Sequence, residues 1–346
     1  MTDRNREIET FLAAIGWRGA HRRPLAGDAS FRRYERVEKN GLHGVLMDAP
    51  PPQEDIRPFV RITRHLLSLG YSAPGIRAED PEHGFILLED LGDATYTKAL
   101  AAGADEAELY RAAVDLLIDL HRKPAEVAIP SGLPPYDDAR LRDEALLFTD
   151  WYLPRVLEDG IDTTARGAFI AIWQDLFPVL RDQPQTIVLR DFHADNLIWL
   201  PDRAGVASCG VLDYQDAVAG PTAYDVMSLL EDARRDFRPG LVDDLVAYYC
   251  AAFPDRDAAA FNTSYAILGA QRHCKVIGIF TRLAYRDGKD GYLGHIPRVW
   301  RLLENSCRHP ALAPLREWLD RTVPPENRVL PHKTLPGDKA NERQKA

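Results

Sequence analysis

The chain has 346 residues, of which 45% are apolar and 27% charged, with a formal net charge of −9. That length and composition suit a globular protein of two lobes with a large core. The acidic balance argues against general binding to nucleic acid or to an anionic membrane.

Along the chain, Ile8, Phe11, Leu12 and Ile15 have the spacing of a short amphipathic helix. Residues 22–38 read as a hairpin turning through Gly27-Asp28-Ala29-Ser30, and Gly44-Val45-Leu46-Met47 as a third strand stopped by Pro50-Pro51-Pro52. Ile56, Phe59, Val60, Ile62 and Leu66 predict a helix over 53–69, capped by Gly70. Phe85-Ile86-Leu87-Leu88-Glu89 is a buried strand running into a hinge at Asp90-Leu91-Gly92. The chain then turns helical. Leu109, Ala113, Leu116, Leu117 and Leu120 mark one helix over 105–122. Further helices are expected at 138–158, 163–181, 222–231, 239–253, 256–287 and 296–322. Trp151, Tyr152, Trp173 and Phe177 fall at helical spacings and read as core. From Pro324 on, prolines and scattered charges replace periodicity, so 324–346 is expected to be a disordered tail.

The most informative segment lies inside this helical half. Arg190-Asp191-Phe192-His193-Ala194-Asp195-Asn196 follows a short apolar strand, Thr186-Ile187-Val188-Leu189. A hairpin of Leu197-Ile198-Trp199-Leu200 and Ser208-Cys209-Gly210-Val211-Leu212 then leads to Asp213. An Asp, an Asn five residues on and a second Asp after an apolar run form the set a phosphotransferase needs. The first Asp accepts a hydroxyl proton; the Asn and the second Asp hold Mg²⁺ against ATP phosphates. The bland alternative makes Asp191 a helix cap and Asp213 a turn residue, but the ordered flanks favour the site.

Gly27, Asp28, Ala29, Ser30, Arg32 and Arg33 lie between the first two strands. A small-residue turn there brings backbone N–H groups near phosphates, although a plain hairpin turn has the same composition. Protein kinases also carry a Lys on the third strand for the phosphates. Here the matching stretch is Val45-Leu46-Met47-Asp48, and no Lys lies between Lys39 and Lys98. Arg32 or Arg33 is the expected substitute, unless backbone amides and Mg²⁺ suffice. Glu54 is left without an obvious partner.

Taken together these features resemble the aminoglycoside phosphotransferase family, from Gly27 to about residue 310. The resemblance implies a two-lobe, kinase-like α+β fold. An N-lobe with an antiparallel sheet would span 1–92, and a larger, mainly helical C-lobe 93–323. The family's H-G-D-x-x-x-x-N stands here with Leu189-Arg190 in place of His-Gly, and its later motifs stand as Leu212-Asp213-Tyr214 and Pro221-Thr222-Ala223-Tyr224-Asp225-Val226. By this resemblance Asp191 is the catalytic base, Asn196 and Asp213 bind Mg²⁺, Asp225 braces the loop, and Glu89 to Leu91 enclose the nucleotide.

Three strings are similar to one branch of that family, the bacterial anomeric kinases of N-acetylmuramate and N-acetylglucosamine. They are Gly27-Asp28-Ala29-Ser30-Phe31-Arg32-Arg33-Tyr34, Leu46-Met47-Asp48-Ala49-Pro50-Pro51 and Asp213-Tyr214-Gln215-Asp216-Ala217. The branch makes sugar 1-phosphates from ATP in peptidoglycan recycling. N-acetylmuramate carries a carboxylate, which calls for a cation. Lys275, Arg282 and Arg286 share a face of one predicted helix, with Arg272 nearby. They read either as a carboxylate clamp or as a solvated face. Asp216 reads as a substrate or metal contact, or as a loop hydrogen bond. His193 reads as packing, and Asp195 as a cap or a site residue.

The rival activities are kinases of the same fold acting on an aminoglycoside, choline or homoserine, and a non-catalytic nucleotide-binding module. The four cysteines, Cys209, Cys250, Cys274 and Cys307, include no C-x-x-C pair, which disfavours zinc and a disulfide framework. The charged N-terminus has no apolar run after it. The expectation is therefore a cytoplasmic enzyme whose partners are ATP, Mg²⁺ and a small sugar, with no obligate protein partner.

Overall fold

The computed structural model describes residues 3–25, 31–332 and 334. The chain divides into two compact units, one of residues 1–120 with 189–217, the other of 121–188 with 218–346. Segments 93–120 and 189–217 thus group with the N-terminal residues rather than with the rest of the expected C-lobe.

The first unit is built on a five-stranded antiparallel sheet in the order β1-β2-β3-β5-β4. Its strands are β1 (His21–Pro24), β2 (Arg33–Lys39), β3 (Leu42–Asp48), β4 (Ile76–Asp80) and β5 (Phe85–Leu88). β4 is a five-residue, largely polar edge strand in which Ile76 and Ala78 alone are apolar, too short an alternation to stand out in the sequence. Helix α1 (Asp3–Ala14) buries Ile8, Phe11 and Leu12 against Val37, Leu46, Phe85 and Leu87. Phe11 stacks on Phe85 at 5.5 Å. Helix α2 (Arg57–Ser68) starts four residues later than its apolar spacing predicts, with Pro58 in its first turn.

The hairpin of Leu197–Trp199 and Cys209–Val211 is tied to the rest of this unit by backbone bonds. The Val211 N–H donates to Ser72 and the Trp199 N–H to Ala94, at 2.8 Å each. Side chains add to this: Arg203 donates to Ser72 Oγ at 2.8 Å and to Glu89 at 2.7 Å.

The second unit is mostly helical around Ala258–Asp287, a helix buried from Ala266 through Gly278. Phe148 and Tyr152 stack at 5.4 Å, and Trp173 and Phe177 at 5.4 Å. These rings are fully or almost fully buried, so the core reading of Tyr152, Trp173 and Phe177 holds. The helix expected over 296–322 is broken into Ile296–Ser306 and Ala313–Thr322, with Pro310 in the break. A small ladder joins Gln185–Val188 to Val218–Pro221. Of the expected tail, 324–332 is held by bonds to the rest of the unit, and 333 and 335–346 lie outside the described residues. Tyr152 Oη donates to the Val329 carbonyl at 2.7 Å, Tyr285 Oη to that of Pro331 at 2.9 Å, and Arg328 reaches Glu304 and Asp320 at 2.6 Å each. Residues 324–332 are therefore docked. Among the described residues no helix is long and apolar enough to cross a membrane.

Candidate active site

The loop from Leu189 to Asn196 and the end of the hairpin at Asp213 lie together in the first unit. The Asn196 side-chain amide makes the link. Its Nδ2 donates to the backbone carbonyl of Asp191 at 2.9 Å and reaches Asp213 Oδ2 at 3.5 Å. With that NH₂ committed, Oδ1 is the Asn196 atom left to act as a ligand. Asp213 Oδ1 accepts from Gln215 Nε2 at 2.8 Å, and the Leu212 N–H donates to the Asn196 carbonyl at 2.9 Å. Asp191, Asn196 and Asp213 are thus held as one constellation.

Asp213 has φ +59 and Arg190 φ +70. Asp tolerates this left-handed conformation better than most residues, whereas Arg gains nothing from it. At Arg190 the family pattern carries glycine. The guanidinium of Arg190 meanwhile donates to the Asp216 carbonyl at 3.3 Å, closing the loop on the far side. Tyr214, next to Asp213, is fully buried, stacks on Phe59 at 5.2 Å and shares a 2.7 Å hydrogen bond with Thr63. Burial pushes its phenol pKa up. Helix α2 thereby fixes the backbone that aims Asp213. His193 is buried, with Nε2 3.4 Å from Asn196 Nδ2. Asp195 instead accepts from Thr97 Oγ1 at 2.5 Å, tying the loop to the helix Tyr96–Ala101.

Beside these residues opens a cleft of about 360 Å³, within the range of ordinary small-molecule sites. Leu25, Val45, Leu88, Leu91 and Ile198 give it apolar walls, and Asn196 and Asp213 lie among its polar lining. Such walls suit a flat base, and the polar end suits phosphates with their metal. An amide oxygen and a carboxylate are too few donors to cage a resident ion but fit Mg²⁺, which keeps waters and phosphate oxygens as its other ligands. Glu89 lines the cleft, but its carboxylate is engaged by the Gly75 N–H at 3.2 Å and by Arg203 at 2.7 Å. Its N–H donates to the Gly75 carbonyl at 2.7 Å, so its own carbonyl and stem are what is left to meet a ligand.

Arg36 is a residue the sequence reading passed over. It bonds both Asp90 and Asp93 through contacts of 2.5 to 3.0 Å, bracing the segment after β5. That guanidinium holds the Asp93 carboxyl below the usual range. Gln215 was also missed, although its position two residues after Asp213 was a signal.

Gly27, Asp28, Ala29 and Ser30 lie outside the described residues. Arg32 approaches both Glu54 and Asp213, at 3.6 and 3.9 Å, so Glu54 does have a partner. Arg33 is the exposed first residue of β2. Asp216 is exposed, with Oδ2 accepting from Gln215 at 3.3 Å.

Arg272, Lys275 and Arg282 fall in the second unit. The common cationic face expected of that helix is not what forms. Lys275 is buried and paired with Glu144 at 3.2 Å, and Arg286 pairs with the adjacent Asp287 at 2.7 Å. The cause is that this helix runs through the middle of its unit, so Lys275 faces protein rather than solvent. Burial, with Arg286 as a second cause, lowers the pKa of Arg282.

The chain matches a model of the phosphotransferase enzyme family over residues 21–261. It is 37% identical to an N-acetylmuramate/N-acetylglucosamine kinase of Caulobacter vibrioides, covering 94% of this chain and 99% of that one. It is 41% identical to a protein of the same name from Pseudomonas aeruginosa, covering 86% and 87%. Among solved structures it resembles a choline/ethanolamine kinase family protein from Mesorhizobium loti, with TM-score 0.61, 13% identity, and 92% and 99% of the two chains covered. The GDP complex of aminoglycoside 2'-phosphotransferase-IIIa gives TM-score 0.60 at 15% identity, covering 88% and 98%. These likenesses carry the kinase-like α+β fold expected from the sequence. With most of its length matched and the Asp-Asn-Asp constellation in place, the chain belongs to the phosphotransferase enzyme family.

Proposed function

We propose that this protein transfers the γ-phosphoryl group of ATP to the anomeric hydroxyl of an amino sugar, N-acetylmuramate or N-acetylglucosamine, giving the sugar 1-phosphate. The observation that carries this reading is the Asn196 amide, bonded to the backbone of Asp191 and turned toward Asp213, beside a cleft with apolar walls. The names of its relatives supply the substrate class.

In this reading Asp191 accepts the hydroxyl proton and orients the oxygen for in-line attack. The anomeric hydroxyl is more acidic than an ordinary alcohol, so a carboxylate is an adequate base. Asn196 Oδ1 and Asp213 would hold Mg²⁺, which supplies charge neutralisation to the phosphates. Most of the rate then comes from positioning. Leu91 and the backbone of Glu89 would border the base, and Asp216 the sugar. Cytoplasmic peptidoglycan recycling is the setting this activity fits.

The test is ³¹P NMR with Mg²⁺-ATP and each sugar in turn, with Asp191→Asn beside the wild type. A sugar 1-phosphate resonance absent from the variant is expected. ATP left intact with both sugars would reject the amino-sugar reading.

A further inference from the structure

We propose that Lys98 is the cation that meets the nucleotide phosphates, entering the cleft from the helix after the hinge instead of from the third strand. The inference rests on the nucleotide-binding part of the reading above and not on the identity of the sugar.

The strand that carries this cation in protein kinases does not supply it here. Val45 lines the cleft, Met47 is completely buried, and Asp48 is held by Arg4 at 2.6 Å. Mg²⁺ offsets only part of the charge of a triphosphate, which leaves a role for a further cation at the phosphates.

Of the residues that line the cleft, Arg36 and Lys98 carry positive charge. Arg36 is fully engaged: its Nε, Nη1 and Nη2 bond Asp90 and Asp93 at 2.5 to 3.0 Å. Lys98 is exposed, and its ammonium forms no hydrogen bond or ion pair with any described residue. Both oxygens of Asp93 already accept from Arg36, the main cause of its lowered pKa, to which Lys98 adds from farther off. Among the other lining carboxylates, Asp90 is taken by Arg36, Glu89 by Arg203 at 2.7 Å, and Asp213 is the one that would hold the metal. The charge of Lys98 therefore remains for a ligand.

The base of this side chain is fixed to the catalytic hairpin. The Lys98 N–H donates to Thr95 Oγ1 at 3.2 Å, so the ammonium is the donor that can serve a ligand. One residue earlier, Thr97 Oγ1 donates to Asp195 at 2.5 Å, next to Asn196. Thr95 bridges Ile198, the Ala94 carbonyl accepts the Trp199 N–H at 2.8 Å, and Tyr96 is completely buried. Residues 94–97 are thus joined to the strand that begins just after Asn196, and Lys98 lines the same cleft as Asn196 and Ile198. A lysine there is a compact, strongly hydrated charge on a flexible stem, suited to phosphate oxygens and not to the flat base.

The experiment is calorimetric binding of Mg²⁺-ATP and, separately, of adenosine to the full chain without any sugar, at low and high salt. Lys98→Met should weaken ATP binding about tenfold, leave adenosine binding unchanged, and reduce the salt dependence of ATP affinity. Lys98→Arg should retain most of the affinity, and Lys98→Glu should lose more than Lys98→Met. Thermal melts should be the same for all of these, because the side chain is exposed. Unchanged ATP affinity in Lys98→Met, or equal losses for ATP and adenosine, would overturn the proposal. A wild-type chain that binds no Mg²⁺-ATP would overturn it together with the nucleotide reading. Lys98-dependent ATP binding without turnover of either sugar would sink the sugar assignment and leave this inference standing.

Discussion

Asn196 donates its side-chain N–H to the backbone carbonyl of Asp191 at 2.9 Å, so the proposed base and the proposed metal site share one hydrogen bond. Removing it should disturb both. Asn196→Ala is expected to lower the apparent Mg²⁺ affinity about 10- to 100-fold. Titration of ATP binding against Mg²⁺ reads this directly, and an unchanged titration would place the metal elsewhere.

Asp191→Asn retains the shape of the loop, because the bond to Asn196 uses the backbone of residue 191. ATP affinity should therefore stay near wild type while kcat falls by about 10²–10⁴. Steady-state kinetics beside calorimetry separates the two; parallel loss of both would mean that the loop had collapsed.

Arg36 is buried and bridges Asp90 and Asp93. Its removal leaves the largely buried Asp90 carboxylate without its partner. Arg36→Met should cost about 2–4 kcal/mol, measured as a lowered urea midpoint, and should weaken ATP binding because Asp90 and Asp93 line the cleft.

Gly278 lies in the long helix of the second unit, and a Cβ there would stand 2.3 Å from the backbone carbonyl carbon of Leu147. Backbone cannot swing aside as a side chain can. Gly278→Ala is expected to destabilise by about 3 kcal/mol or more. Gly167→Ala, where a Cβ meets nothing within 4 Å, should by contrast be tolerated. Thermal melts of the two variants make the comparison.

His121 is buried with Nδ1 2.8 Å from Tyr249 Oη, and burial, with Arg256 as a second cause, pushes its pKa from 6.5 to about 3. The folded state thus binds its proton less readily than the unfolded state. Its contribution is fully present above pH 6.5 and is lost as pH falls toward 3, by at most about 1.4 kcal/mol per pH unit. Urea midpoints at pH 7.5 and 5 should fall in the wild type, and His121→Gln should flatten the difference.

The sequence made the constellation legible because a loop motif keeps its spacing whatever the tertiary structure does. Asp191, Asn196 and Asp213 are close in sequence, and strands with apolar runs flank them. β5 and α2 were legible for the same local reasons. What remained hidden depends on pairing at a distance. β4 carries three charged residues on an edge, and its alternation of Ile76 and Ala78 is too short to stand out. The grip of Arg36 on Asp90 and Asp93 spans more than fifty residues. The face assigned to Lys275, Arg282 and Arg286 failed because helical spacing says which residues share a side but not which side meets protein, and Glu144 waits on that side for Lys275.

The segment 189–217 belongs to the unit begun by residues 1–120. Its bonds to Ser72 and Glu89 form only once the second half of the loop and hairpin exists. A chain growing from its N-terminus therefore makes the sheet early but completes that unit only after residue 217 has emerged, with 121–188 already synthesised in between. A fragment ending at Leu120 carries Lys98 but lacks Asp191, Asn196 and Asp213. Truncation cannot isolate the nucleotide-handling part of this protein; a circular permutant or a linker from Leu120 to Leu189 would be required.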